Sequence, residues 1–181
     1  MFGSHKKIGK EIGSNIKNFF FNPFYFGAPD DFNFSADFYF DKYIFGFIIA
    51  SIGLSIDRYG GQRWDAKKKG ECIYEAMKKI DESEILLSFY TQQSADIEEF
   101  HMKFNNNNIF NRGVDDATTI IGVMYGILPE DDPDPLFQEA KKIREKFDGP
   151  LVIQGDFKGD SLLATIICNA SIFKYIKENF L

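Results

Sequence analysis

The chain has 181 residues, of which 44% are hydrophobic and 27% are charged, and its formal net charge is -6. This length suits one domain, because a chain of this size buries roughly 70% of the surface that its unfolded form exposes. The composition argues against wholesale disorder, and the negative charge argues against a general nucleic-acid binder, which needs clustered Lys and Arg to displace phosphate counterions.

Residues 5–20 are predicted to form a basic amphipathic helix. Ile8, Ile12 and Ile16 lie at i, i+4 and i+8, and lysines occupy the other side of the helix. Such helices can lie on anionic membranes, but more often they pack on their own domain. We expect packing here, with peripheral membrane contact through residues 5–20 as the less favoured alternative.

An aromatic-rich loop is predicted over residues 21–36, because prolines, a glycine and adjacent aspartates oppose a regular helix. Of the 21 Phe in the chain, eleven lie within residues 19–47. A loop with so many aromatic side chains is either pinned to the core or forms a contact surface. We therefore name Phe24, Tyr25 and Phe26 as candidate partner-binding residues.

The uncharged run at residues 43–56 is predicted to be a buried helix. Its fourteen residues fall short of the about 20 that a membrane-spanning helix needs. Gly46, Ala50, Gly53 and Asp57 form a narrow face of mostly small residues, along which another helix can approach closely. We interpret the run as a central helix of a globular domain.

The glycine turn after this helix is a second candidate binding site. Arg58, Arg63 and Trp64 cluster around it, and Arg and Trp are common interface anchors. Arg also binds carboxylates or phosphates through paired hydrogen bonds. The alternative is that the arginines neutralise the helix end while Trp64 seals the edge of the core.

Further helices are predicted from apolar spacing, capping residues and breakers. They cover residues 66–80, 83–104 with a break near Ser94, 115–127, 135–147, and 161 to near the C-terminus. Asp115 and Asp116 are placed in the first turn of their helix, where the macrodipole favours carboxylates. Residues 105–113 are predicted to be a loop, and residues 151–153 a short extended piece.

The fold predicted from these elements is all-α, a single domain over residues 1–181. It is a bundle of about six or seven helices around two largely apolar central helices, residues 43–56 and 161–173. Residues 1–36, the basic helix and the aromatic loop, form an N-terminal extension of it.

Metal chemistry has one candidate pair, Glu98 and His101. Their i, i+3 spacing places both side chains on one helix face, as in di-iron bundles. Such sites need the motif twice with further glutamates, and the chain has only one other histidine, His5. A solvated surface pair is therefore the favoured interpretation, and no cofactor is predicted.

Two cysteines, Cys72 and Cys168, lie 96 residues apart and are interpreted as reduced thiols in or near the core. This pattern is typical of neither a disulfide scaffold nor a metal pair, and it indicates a cytoplasmic setting.

Three classes of function stay open. The favoured class is a non-enzymatic interaction or accessory protein that uses the aromatic segment, residues 19–40, to bind a protein partner or a second copy. The first alternative is a binding protein for a hydrophobic small ligand held between the two apolar helices. The second is a helical metal-dependent enzyme that uses Glu98 and His101.

Overall fold

The computed structural model describes residues 4–29, 32–129, 131–146 and 159–181. All regular structure in these ranges is helical, which confirms the all-α class. Within the described residues, nine helices have eight residues or more, and two are shorter. Their bounds are α1 Ser4–Phe20, α2 Pro23–Phe26, α3 Ala36–Phe40, α4 Lys42–Arg58, α5 Ala66–Ile80, α6 Ile85–Gln93, α7 Ile97–Phe104, α8 Asn108–Tyr125, α9 Pro135–Arg144, α10 Ser161–Ala170 and α11 Ile172–Phe180, with a 3-10 turn at Gly61–Arg63.

The centre of the bundle is the pair α4 and α8, which pack against each other more extensively than any other two helices of the described chain. Two glycines permit this close approach. A Cβ atom on Gly46 would lie inside 3.0 Å of the Phe110 carbonyl oxygen, and one on Gly113 inside 3.0 Å of the Tyr43 carbonyl oxygen. The predicted central helix, residues 43–56, is therefore present, and its neighbour is α8.

Residues 161–173 do not form the second central helix that the sequence predicts. Ser171, with φ -120° and ψ -98°, divides this apolar segment into α10 and α11, and its hydroxyl donates to the Ile167 carbonyl oxygen at 2.7 Å. The main neighbours of α10 are α8, α9 and α11. With this break and the one after Gln93, the described part of the chain has nine longer helices, against the six or seven that the sequence predicts.

The basic helix α1 packs along α5. Ile12 and Ile16 are buried, and a Cβ atom on Gly9 or Gly13 would overlap a carbonyl oxygen of α5. Three lysine–glutamate pairs flank the seam: Lys6–Glu71 at 3.7 Å, Lys10–Glu75 at 3.7 Å and Lys17–Glu82 at 3.2 Å. Because exposed ion pairs contribute little, apolar burial is the main source of stability here. The apolar stripe of residues 5–20 is thus covered by the bundle itself.

Helix α8 begins at Asn108, seven residues before the predicted start at 115. The Asn107 side chain caps it by accepting from the backbone N–H groups of Ile109 and Phe110, both at 3.1 Å. Asparagine is a strong N-cap because its side-chain oxygen replaces a missing helical acceptor. Residues 108–113 are consequently helical, and Asp116 lies in the middle of α8.

Other helix starts agree with the sequence. The Asp65 and Asp134 side chains each accept a capping bond at 2.8 Å at the predicted starts of α5 and α9, and α5 has the predicted bounds. The extended piece expected at 151–153 lies outside the described residues. Within the described ranges, none of the helices combines the length and the apolarity required to cross a membrane.

Candidate functional site

An apolar pocket lies between the C-terminal end of α1, the short helix α2 and the pair α10–α11. Its volume is about 130 Å³, and it is open to solvent on one side. The described residues that line it are Phe19, Phe20, Tyr25, Met124, Gly159, Ser161, Ala164, Thr165, Cys168 and Phe173. Three separate parts of the chain therefore meet at this one concave surface.

The wall from α2 is fixed by strong local signals. The Asn22 side chain accepts from the Phe24 N–H at 3.1 Å, Pro23 occupies the first helical position, and Gly27 ends the helix at φ 71°. Glycine adopts this left-handed conformation without the steric cost of a Cβ atom. The resulting single turn places the Tyr25 ring against Phe173, with centroids 5.8 Å apart and planes at 20°.

The opposite wall is α10, which begins on Asp160. This carboxylate accepts from the Leu163 N–H at 2.9 Å and from Arg144 Nε at 2.7 Å, so it fixes the helix start and ties it to α9. Ala164 and Cys168 lie four residues apart and both line the pocket, because such residues share one helix face. The small Ala164 side chain leaves the space in front of it open.

Gly159 connects the floor of the pocket to α8. Its backbone N–H donates to the Met124 carbonyl oxygen at 3.1 Å. A Cβ atom at this position would overlap the Val123 and Met124 carbonyl oxygens, so only glycine fits against the end of α8.

The electrostatics of the pocket favour an uncharged occupant. Among the described residues that line it, none carries a charged side chain. Burial raises the pKa of the Cys168 thiol to about 12, so this group is neutral near pH 7 and is a poor nucleophile. The Thr165 hydroxyl already donates to the Ser161 carbonyl oxygen at 2.8 Å. The described lining can therefore hold an apolar group but contains no activated nucleophile.

The predicted partner-binding residues of the aromatic loop have three different environments. Phe24 is 83% exposed and Tyr25 is 45% exposed, whereas Phe26 is 1% exposed and belongs to the core. Most other aromatic residues of the segment 19–40 are buried or packed against the core. The expected aromatic surface is thus small, and of the three predicted residues only Tyr25 lines the pocket.

The second predicted site, around the glycine turn, consists of separate contacts. The Arg58 guanidinium carbon lies 5.5 Å from the centroid of the Tyr125 ring. Trp64 is half-buried against the core, and its ring meets His5 edge-on with centroids 6.1 Å apart. Arg63 is exposed at the end of the 3-10 turn. None of these residues is among the described residues that line the pocket.

The predicted metal pair lies on α7. Glu98 is exposed, and the side chain of His101 lies outside the described part of the structure. The described residues contain no group of three or more His, Cys, Asp or Glu side chains that could hold a metal ion. A metal site at Glu98 and His101 therefore remains a hypothesis.

A polar cluster that the sequence analysis missed lies where α4, α8 and α11 meet. Tyr43 donates to Asp116 Oδ2 at 2.7 Å, and Tyr175 donates to Asp41 Oδ2 at 3.0 Å. The two tyrosine rings stack with centroids 4.0 Å apart, and Arg112 Nε lies 4.0 Å from Asp116. It was missed because Asp116 was assigned to the first turn of a helix.

This cluster predicts a pH dependence of stability. Burial raises the pKa of Asp116 above its usual 3.8, although the Tyr43 hydrogen bond and Arg112 oppose the rise. The folded protein then binds this proton more tightly than the unfolded chain, so the free energy of unfolding falls as the pH rises through the raised pKa. Asp116→Asn has no carboxyl group to ionise at this position, so its free energy of unfolding should not include this fall. We therefore expect Asp116→Asn to become more stable relative to wild type as the pH rises from 3 to 7.

Urea unfolding at several pH values measures the difference. The control is Asp115→Asn, which removes the neighbouring exposed carboxylate and is expected to follow the wild-type curve more closely. Parallel pH profiles for wild type and Asp116→Asn would show that burial of Asp116 does not affect stability.

No protein-family model, no curated protein and no solved structure matches this chain. Its function is inferred here from the chemistry of its own residues.

Proposed function

We propose that the protein binds a small apolar molecule in the pocket between α1–α2 and α10–α11. The observation that carries this proposal is the partly open cavity of about 130 Å³ among Tyr25, Ala164, Cys168 and Phe173, whose described lining residues carry no charge. An apolar cavity of roughly 150 Å³ stays dry and accepts benzene, so this volume is sufficient for a small apolar group. Burial of that group would supply about 25 cal/mol for each Å² of apolar surface removed from water.

The burial of the aromatic segment supports this function over the protein-interaction function that the sequence favours. Phe20, Phe21, Phe26 and Phe38 are all at most 3% exposed, so they stabilise the fold and are not free to contact a partner. Three members of the segment, Phe19, Phe20 and Tyr25, line the pocket instead. The proposed site lies beside α10, whereas the hydrophobic-ligand alternative drawn from the sequence has the ligand between α4 and α10.

A second candidate function is contact with another protein chain through α2. Phe24 is 83% exposed, and its ring meets the half-exposed Tyr25 ring with centroids 5.9 Å apart. Exposed Phe is costly in water, and aromatic residues are enriched at interfaces. Sedimentation equilibrium of wild type and Phe24→Ala tests this candidate, because an oligomer formed through α2 would be weakened by the substitution.

The ligand-binding function predicts a specific loss on filling the pocket. Ala164→Leu extends a side chain into the cavity and is expected to abolish ligand-induced stabilisation. The matched control is Ala170→Leu, the same change at an exposed position of the same helix. In wild type and in the control, a probe at ten times its Kd stabilises by about 1.4 kcal/mol, which raises Tm by roughly 3–6 °C.

Thermal unfolding with and without benzyl alcohol as the probe measures these shifts. Comparison within each variant removes any effect of the substitution on the stability of the free protein. Equal Tm shifts in wild type, Ala164→Leu and Ala170→Leu would place binding elsewhere and would contradict the proposal.

A further inference from the structure

We infer that the pocket selects an uncharged molecule with a single aromatic ring, in preference to an aliphatic chain or an aromatic carboxylate. This inference rests on the proposed function and adds the chemical class of the ligand. It depends on the size of the pocket, on its aromatic and sulfur-bearing walls, and on the lack of charged side chains among the described lining residues.

The volume of the pocket limits the size of the ligand. The cavity of about 130 Å³ is close to the roughly 150 Å³ of an apolar cavity that accepts benzene. Pockets for drug-sized ligands have volumes of about 300–1,000 Å³. One six-membered ring with a short substituent therefore fits, and a fused ring system or a long acyl chain does not fit inside.

The walls favour a ring over a chain. Phe19, Phe20, Tyr25 and Phe173 supply four aromatic side chains to a small cavity. Aromatic pairs in edge-to-face or offset arrangements gain about 0.5–1.5 kcal/mol beyond the burial of their surface. The Met124 thioether and the Cys168 thiol add polarizable sulfur, which contacts aromatic rings favourably. An aliphatic chain of equal size obtains only the burial contribution.

The lining disfavours a charged ligand. The described residues around the pocket offer no Lys, Arg or His side chain to a carboxylate, and a buried anion without a partner carries a large desolvation penalty. A hydroxyl group is tolerated, because Thr165 is exposed at the rim and its oxygen retains acceptor capacity after it donates to Ser161. An alcohol on the ring would be placed at this open side.

Three probes separate these contributions. Benzyl alcohol and benzoate share the ring and differ in charge near pH 7, whereas benzyl alcohol and 1-hexanol share the alcohol and differ in the ring. Methionine-methyl NMR reports binding, because Met124 lines the pocket while Met77 is buried in the core and Met102 is 74% exposed. The chain has only four methionines, so their signals are easily assigned by substitution.

We expect benzyl alcohol to shift the Met124 methyl signal saturably and to leave the Met77 and Met102 signals nearly unchanged. The Kd for benzoate should be at least ten-fold higher, and the Kd for 1-hexanol several-fold higher. Ala164→Leu should abolish the Met124 response, and Ala170→Leu should retain it.

The possible results distinguish the two proposals. Equal Kd values for benzoate and benzyl alcohol would overturn the selection against charge, and a Kd for 1-hexanol as low as that for benzyl alcohol would overturn the selection for a ring. Either result would leave the pocket as an apolar binding site. If none of the three probes shifts Met124, the proposed function fails together with this inference.

Discussion

Phe26→Ala is expected to lower the free energy of unfolding by about 3–5 kcal/mol, the usual cost of removing a buried Phe side chain. Phe26 is 1% exposed, and its ring packs within 6.0–6.3 Å, centroid to centroid, of Phe32, Phe34 and Phe173. The substitution removes the Phe26–Phe173 contact between α2 and α11 and leaves the Tyr25–Phe173 stack as the remaining aromatic contact between them. The substitution leaves a cavity, and α2, a single helical turn, is too short to fill it by shifting.

The control for this prediction is Phe24→Ala, two residues earlier in the same short helix. Phe24 is 83% exposed, so its removal should change the free energy of unfolding by at most about 0.5 kcal/mol. Urea unfolding monitored by circular dichroism measures both variants. Similar losses for Phe24→Ala and Phe26→Ala would show that the aromatic segment is not divided into core and surface as described.

Gly46→Ala is expected to destabilise the protein by about 2–3 kcal/mol, because the added methyl group overpacks the contact between α4 and α8. The new Cβ atom would lie inside 3.0 Å of the Phe110 carbonyl oxygen and 3.1 Å from the Phe110 ring carbon Cδ2. Backbone atoms cannot rotate away as a flexible side chain can. The two central helices must therefore separate, which loosens the contacts along their whole length.

Gly53→Ala, on the same helix, is expected to have the opposite effect on stability. Gly53 is exposed, and a Cβ atom there would meet nothing within 4 Å. Ala is better than Gly in a helix interior by roughly 0.5–1 kcal/mol, so this variant should be more stable than wild type. Chemical unfolding of Gly46→Ala and Gly53→Ala measures both changes in the free energy of unfolding. Destabilisation by Gly53→Ala, or none by Gly46→Ala, would contradict the described packing of α4.

Much of the secondary structure was predictable because its signals are local. Asp65 and Asp134 cap helices through their own side chains, and Pro135 starts α9 at the first helical position. The i, i+4, i+8 spacing of the isoleucines in α1 identifies its buried face without information from any other element. Such signals depend on residues within a few positions of each other, so a single sequence contains them.

The pairing of helices was not predictable from such local signals. Gly46 and Gly53 lie on one face of α4, yet only Gly46 contacts α8. Residues 161–173 are apolar enough to be central, but Ser171 breaks them and α10 covers the side of α8 and α9. Apolar composition shows that a helix is covered, and only the three-dimensional arrangement shows which helix covers it.

The candidate site was predictable only in part, for the same reason. The composition of the aromatic loop identifies Tyr25 as a candidate binding residue, and the apolar run at residues 161–173 predicts one wall of a ligand site. Their meeting depends on the position of α2 against α11, which no sequence spacing encodes. The sequence selects Arg58, Arg63 and Trp64 for their residue types and for their proximity to one glycine turn, and neither feature shows whether the side chains converge.

A crystal structure of the protein grown with benzyl alcohol would locate the bound ring directly. We expect electron density for one ring in the pocket, in contact with Ala164, Cys168 and the stacked pair Tyr25 and Phe173. A pocket filled by protein side chains or by ordered water, with the ring absent or bound elsewhere, would contradict the proposed function.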